Sequence, residues 1–336
     1  MGHAISIPIV DVEQETLIGQ GATAKVYRKG DKIIKRSKML LGTDTDTFRE
    51  LRFFGWIESL SPAEQRYFSR MFGYRIYRSD FEHVYAYAGQ SEEDKKAQEE
   101  RNKSKWTMEI TSEYKGRALV ITEGTTMTKR YMIVIQALDI IQIMEKHRVM
   151  HVDLGLHNVV IDNGNVACID YGETYMEGDD QYYIHESEHT MLTQLVNAMM
   201  NIQGTFAAIE DLRKQGVAYE FTDWLEEFGM IKKEAPHVYT CLQDFLDKND
   251  YRLWRSIGDN PVPKRGEQVE SGSDFTEIAK ATMDNMCKLY APELHRKIYK
   301  IETVVPNLLP VQDVKYIYDH WGDLPNIKEY FQNKIK

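Results

Sequence analysis

Residues 151–172 read HVDLGLHNVVIDNGNVACIDYG. Two short apolar runs, 159–161 and 166–169, flank Asp162-Asn163-Gly164, a strong signal for a tight two-strand hairpin. Polar side chains suited to chemistry stand just outside it. Asp153 and Asn158 precede the hairpin and Asp170 follows it. A hairpin returns the chain to where it left, so this spacing lets the two aspartates converge near one metal ion.

Working outward, the chain differs in character on its two sides. Upstream, 12–36 reads as a small sheet: an apolar run at 16–18, a glycine-bearing turn GQGATA, and an extended pattern at 25–28. Lys29-Gly30-Asp31 is a tight hairpin signal, and Lys32-Ile33-Ile34-Lys35 a third strand. The polar segment TDTDT (43–47) caps a helix predicted over 48–58. Ser61-Pro62-Ala63-Glu64 is a capping box with proline at the first helical position. Aromatics alternating with polar residues over 73–87 predict half-buried strands. The charged run 90–105 predicts an exposed, partly helical insertion, and strand signals return at 106–110 and 118–122.

Directly before the opening stretch, 128–147 is apolar on nearly every face, the pattern of a buried helix. Helical patterns then recur near 186–202, 205–228, 233–254, 274–300 and 311–334, with a Gly- and Pro-containing break at 258–273. No internal repeat is visible. The fold class is α+β, with a sheet-rich first part and a helical remainder.

The 336 residues exceed one average domain, and 42% hydrophobic with 28% charged residues is the balance of a soluble globular protein. The longest apolar run, 132–144, is interrupted by Gln136 and Asp139 and falls short of the roughly 18 residues of a membrane span. The first residues, MGHAISIPIVDVEQE, lack the features of a secretory leader, and Met1-Gly2 with Ser6 reads as an ordinary start rather than a myristoylation signal. Cys168, Cys241 and Cys287 are too dispersed for a disulfide framework or a metal knuckle, so a reducing, intracellular, cytoplasmic setting is expected. A formal charge of −10 gives no footprint for nucleic acid and leaves phosphate binding to local amides, lysines and metal.

His151-Val152-Asp153-Leu154 with Asn158, followed by Asp170-Tyr171-Gly172, resembles the catalytic loop and metal motif of the protein-kinase-like superfamily, H-x-D-L-x-x-x-N and D-[FY]-G. The resemblance covers residues 16 to about 200. It implies a bilobal fold, with an N-lobe over 1–123 and a helical C-lobe over 124–336 that includes an unassigned extension from about 202. It also implies roles. Asp153 would orient the acceptor hydroxyl and take its proton, while Asn158 and Asp170 would hold the magnesium ions on the nucleotide phosphates.

Ile18-Gly19-Gln20-Gly21-Ala22-Thr23-Ala24-Lys25-Val26 resembles the family's glycine loop, with Ala24 in place of the third glycine. Gly19 and Gly21 would let backbone amides approach the phosphates, and Val26 would cover the adenine. Ile33-Ile34-Lys35 resembles the end of V-A-I-K, so Lys35 would pair the α- and β-phosphates, with Lys32 and Lys38 as rivals. Its acidic partner would be Glu50, with Glu58 second. Thr122-Glu123-Gly124 resembles the hinge between lobes, where backbone groups at Glu123 and Thr125 would hold the adenine edge.

Several positions depart from the pattern. Val152 replaces the arginine that reads a phosphorylated activation loop, and Gly155 stands where a lysine steadies the γ-phosphate. No A-P-E follows at the expected distance, Ala291-Pro292-Glu293 being far downstream, and 173–187 leaves little room for a long activation loop. These traits resemble compact branches: RIO-type, viral and bacterial-effector kinases, and the aminoglycoside and choline phosphotransferases. The expected activity is that of an atypical serine/threonine protein kinase using ATP and Mg²⁺ on a protein substrate. A small-molecule kinase is the alternative, and a nucleotide-binding pseudokinase scaffold the third reading. Gly172 favours the protein kinases, whereas Gly155 and the missing A-P-E lean the other way. No nucleic acid or membrane partner is expected.

Two further motifs compete for attention. His185-Glu186-Ser187-Glu188-His189 fits the zinc pattern H-E-x-x-H, with Glu210 near the distance of a third ligand. Its polar middle pair reads instead as a solvated helix start, where acids suit the dipole. Tyr171, Tyr175, Tyr182 and Tyr183 read as packing and surface residues, with substrate binding or autophosphorylation as the alternative.

Overall fold

Five strands form one antiparallel sheet: β1 (Thr16–Gln20), β2 (Ala24–Lys29), β3 (Lys32–Lys38), β4 (Met71–Arg78) and β5 (Trp106–Glu113), in the order β1-β2-β3-β5-β4. The computed structural model describes residues 14–20, 24–40, 45–82, 92–119, 121, 124–151, 154–155, 158–179, 191–192, 195–196, 229–248, 277–299 and 307–336. One row across the sheet runs Gly19, Val26, Lys35, Ile110, Tyr74; the adjacent row, on the opposite face, runs Gln20, Lys25, Arg36, Glu109, Arg75.

The face that carries Lys35 meets α1 (Thr45–Ser59). Glu50, Phe53, Phe54 and Ile57 recur on that helix at i, i+3, i+4 and i+7, and all four are buried. The helix starts at Thr45, within the polar segment expected only to cap it. On the other face Glu109 is buried between its two register partners, accepting from Arg36 Nε and Arg75 Nε, each at 2.8 Å. Burial disfavours its charge, but the two arginines outweigh burial and hold the carboxyl below its usual range.

A single turn, α2 (Pro62–Gln65), follows Ser61, whose backbone N–H donates to the Glu64 carboxylate at 3.1 Å. The charged run forms α3 (Glu92–Lys103), a regular helix with the exposed pair Glu99–Lys103 one turn apart at 3.6 Å. Of the strand expected over 118–122, the described residues show Ala118 in β6 (Arg117–Ala118), paired with Val160 while Arg117 pairs with Ile161, and residues 120 and 122 lie outside the described residues. Beyond it come α4 (Met127–Lys146), β7 (Val149–His151), β8 (Val159–Asp162), β9 (Asn165–Cys168) and β10 (Thr174–Met176). The β8–β9 turn has Asn163 at φ 49° and Gly164 at φ 85°, the paired positive values that a two-residue type I′ hairpin requires.

The chain divides into two compact units: 1–118 with 159–174, and 119–158 with 175–336. The β8–β9 hairpin groups with the sheet. The reason is backbone pairing. β8 ladders onto β6, and the Cys168 N–H donates to Tyr67 O at 2.8 Å beside a parallel bridge between Phe68 and Cys168.

In the second unit, α4 begins at Thr126, whose side chain caps the Lys129 N–H at 3.4 Å. The helices after it include α5 (Pro236–Lys248), α6 (Glu277–Tyr290), α7 (Pro292–Tyr299), α8 (Val311–Asp319) and α9 (Leu324–Lys334), and residues 229–234 are also helical. The pattern over 274–300 is two helices because Pro292 lacks an amide to continue the first and opens the second. The pattern over 311–334 likewise splits, at a turn through Trp321 and Gly322, and Asp323 restarts the helix by capping the Asn326 N–H at 3.2 Å. α9 packs along α4, with Tyr131 5.6 Å from Phe331 and Lys328 paired to Asp139. The carboxylate of Asp313, fully buried on α8, accepts from Tyr131 Oη at 2.7 Å and Tyr330 Oη at 2.6 Å. The helix expected over 205–228 and the break at 258–273 lie outside the described residues. Among the described residues no helix is long and apolar enough to cross a membrane.

Candidate functional site

Three elements of the first unit converge on one ammonium group. β3 carries Lys35 between Val26 and Ile110, α1 turns Glu50 toward the sheet, and the β8–β9 hairpin delivers Asp170 two residues past its end. Lys35 Nζ donates to Glu50 Oε1 at 3.0 Å, to Glu50 Oε2 at 3.1 Å and to Asp170 Oδ1 at 2.7 Å. Burial opposes the charge on Lys35, yet attraction from Asp170 and Glu50 and the hydrogen bonds to both hold its pKa above the ordinary lysine value. The lysine is therefore a permanent cation. Burial pushes the Glu50 carboxyl up, Lys35 pulls it back, and the charge of Asp170 adds a further upward push.

Glu50 and Asp170 differ in exposure. Glu50 has 9% of its side-chain surface accessible and Asp170 51%, so one carboxylate anchors the lysine from below while the other faces solvent. Asp170 also has φ 60°, a left-handed conformation that costs a non-glycine residue roughly 1–2 kcal/mol. Its neighbour shows what holds it there. Tyr171 is fully buried, its ring 4.3 Å from Phe53 and 5.1 Å from Phe54 of α1. The Tyr171 hydroxyl accepts from Ser69 N at 2.7 Å and donates to Cys168 O at 2.7 Å. Arg49 donates to Gly172 O at 3.3 Å. Tyr171 and Tyr175 are thus packing residues, while Tyr182 and Tyr183 lie outside the described residues.

Of the residues singled out in the sequence, the structure brings Lys35, Glu50 and Asp170 together. The rivals stand elsewhere: Lys32 is exposed beside Phe72, Lys38 donates to Asn102 O at 2.6 Å, and Glu58 is exposed. Gly19 and Val26 are register partners in the row that contains Lys35, next to a break in the β1–β2 pairing. Asn158, in the second unit, is buried with its N–H donating to Gly155 O at 3.0 Å. Thr125, also in that unit, has its carbonyl accepting from Arg130 Nε at 2.8 Å. Asp153, Gly21 and Glu123 lie outside the described residues, as do His185, Glu186, His189 and Glu210 of the zinc-like motif.

Magnesium takes hard oxygen ligands and keeps several waters. The half-exposed carboxylate of Asp170 and the amide of Asn158 suit that demand in chemical type. The cluster as a whole can hold an anion against a fixed ammonium and offer a carboxylate to a cation. Arg49 and Ser69 escaped the sequence reading, and so did the anchoring role of Tyr171. The signal for Tyr171 was present, since Glu50, Phe53 and Phe54 share a helix face that an aromatic ring after Asp170 could meet. No protein-family model and no curated protein sequence matches the chain.

Proposed function

We propose that this protein is an ATP- and magnesium-dependent phosphotransferase on a bilobal protein-kinase-like fold, acting as an atypical serine/threonine kinase on a protein hydroxyl. The observation that carries the reading is the Lys35–Glu50–Asp170 cluster. Residues 15 and 135 positions from Lys35 in the chain meet it within 3.1 Å, in the combination that the resemblance assigns to phosphate and metal binding.

In this reading the fixed charge of Lys35 holds the α- and β-phosphates, and backbone amides around Gly19 and Gly21 receive the phosphate oxygens. Val26 covers the adenine, and main-chain groups at Glu123 and Thr125 meet its edge. Asp153 orients the acceptor hydroxyl and takes its proton as the new oxygen–phosphorus bond forms and the bond from the γ-phosphorus to the bridging oxygen breaks, releasing ADP. Bound magnesium supplies charge neutralisation on the phosphates, with Asn158 and Asp170 as its protein ligands.

A small-molecule kinase is the second reading. Gly155 supports it, as does the position of Ala291-Pro292-Glu293, where Pro292 opens α7 rather than closing an activation segment. The test uses labelled ATP and Mg²⁺ with generic protein substrates and, in parallel, aminoglycosides and choline. Label on serine or threonine of protein is expected. Label on small molecules alone selects the second reading, nucleotide-dependent stabilisation without transfer selects a pseudokinase, and neither binding nor transfer sinks the proposal. Asp153→Asn should abolish transfer while nucleotide still raises the melting temperature.

A further inference from the structure

We infer that Tyr171 is a positioning residue whose hydroxyl latches the Asp170-Tyr171-Gly172 turn to the backbone at Ser69 and Cys168, and so keeps the Asp170 carboxylate on Lys35. Its consequence for phosphoryl transfer rests on the function proposed above; the latch itself does not.

A left-handed aspartate persists only where its surroundings over-determine it. Asp170 has φ 60°, its side chain is half exposed, and its carboxylate accepts from Lys35 at 2.7 Å, so the backbone of the turn needs a restraint beside that bond. The restraint lies one residue on. The Tyr171 ring is held by Phe53 and Phe54, which lie one turn beyond Glu50 on the same buried face of α1. Ring packing alone would also be met by phenylalanine and would tolerate sliding along the helix. The hydroxyl removes that freedom, because its 2.7 Å bonds to Ser69 N and Cys168 O are directional.

Both of those partners belong to rigid backbone. Phe68 bridges Cys168, and the Cys168 N–H donates to Tyr67 O at 2.8 Å. The Ser69 hydroxyl donates to Glu113 O at 2.8 Å at the end of β5, the strand that pairs with β3. The same sheet that carries Lys35 therefore holds the turn that carries Asp170.

The test reads Lys35 directly. Tyr171→Phe keeps the ring and removes the hydroxyl. A lysine released from Asp170 has a less hindered and more mobile amine, which reacts faster with an amine-reactive ester. Mass spectrometry should show Lys35 labelling about five- to tenfold faster than in the wild type, the factor that one to one-and-a-half kcal/mol of hydrogen bonding represents. Tyr318→Phe, which removes a buried tyrosine hydroxyl in the second unit, should leave Lys35 labelling unchanged. An unchanged Lys35 rate in Tyr171→Phe overturns the latch. If that variant does not fold, hydrogen exchange in the wild type decides. Protection of the Ser69 amide equal to that of the β3–β5 ladder is expected, and exchange at the rate of an open loop overturns it. In the transfer assay Tyr171→Phe should raise KM for Mg-ATP by a similar factor. If the wild type itself transfers no phosphoryl group, the proposed function fails while the labelling result still stands.

Discussion

Lys35 Nζ lies 3.0 Å from Glu50 Oε1, and the pair is largely withdrawn from water, with 17% and 9% of the two side-chain surfaces exposed. A buried pair broken on one side leaves an uncompensated charge. Lys35→Met should therefore lower stability by about 3 kcal/mol, read from the urea midpoint, and Lys35→Met/Glu50→Leu should recover much of that loss. A loss under about 1 kcal/mol is what a surface pair gives, and would show that the pair is not buried in solution.

Gly19 separates binding from folding. A Cβ built there meets only Val26 Cβ at 3.8 Å, an ordinary contact. Gly19→Ala should change the melting free energy by less than about 1 kcal/mol, since it removes only backbone freedom. If the strand backbone approaches phosphate, the same substitution should raise KM for ATP several-fold. Equal KM values for the two proteins would remove Gly19 from the binding surface.

Gly116 behaves in the opposite way. It has φ 124°, and a Cβ there would lie 2.4 Å from Ile161 O and 2.6 Å from Ile161 C, both backbone atoms of β8. Relief would require breaking the β6–β8 ladder. Gly116→Ala should cost about 3 kcal/mol or more and lower the yield of folded protein. Circular dichroism melts would settle the matter, and a wild-type melting temperature would count against the β6–β8 pairing.

His295 should make the second unit acid-sensitive. It is 3% exposed on α7, and burial, followed by the charge of Lys288, lowers its pKa from 6.5 to about 4. Above pH 6.5 the imidazole is neutral in both folded and unfolded chains and contributes nothing. As pH falls from 6.5 toward 4 the unfolded chain takes up a proton that the folded one refuses, so stability drops. The loss should reach on the order of 3 kcal/mol by pH 4. His295→Gln should flatten the dependence of the urea midpoint on pH across that window, and an unaltered slope would assign the acid sensitivity elsewhere.

Local chemistry was legible without coordinates. Asn163-Gly164 reads as a type I′ turn because both residues tolerate positive φ, and the turn has that geometry. The apolar run before His151 reads as a buried helix and is α4. Restarts at Pro292 and Asp323 are masked in the pattern because helical periodicity continues across them, although a proline and a capping aspartate stand at the breaks.

Pairing over long distance was not legible in the same way. Period-two alternation places Lys35 on a face but cannot choose it over Lys32 or Lys38, and it says nothing of Glu50 against Glu58. Those choices depend on where α1 packs, which is settled by Phe53 and Phe54 meeting the Tyr171 ring and Phe53 meeting Phe68. The grouping of 159–174 with the sheet is of the same kind, since it rests on backbone bonds to Ala118, Tyr67 and Phe68 that no local pattern encodes.

The sequence by itself therefore determined the β8–β9 hairpin and its turn, the buried helix α4, and the residue types available for phosphate and metal chemistry. Each of these follows from neighbours within a few positions. The tertiary structure decided which acid meets Lys35, how Asp170 is held at φ 60°, and that Tyr171 holds it. Those are contacts between residues 15, 102 and 135 positions apart, and their geometry exists only once the sheet, α1 and the hairpin pack on one another.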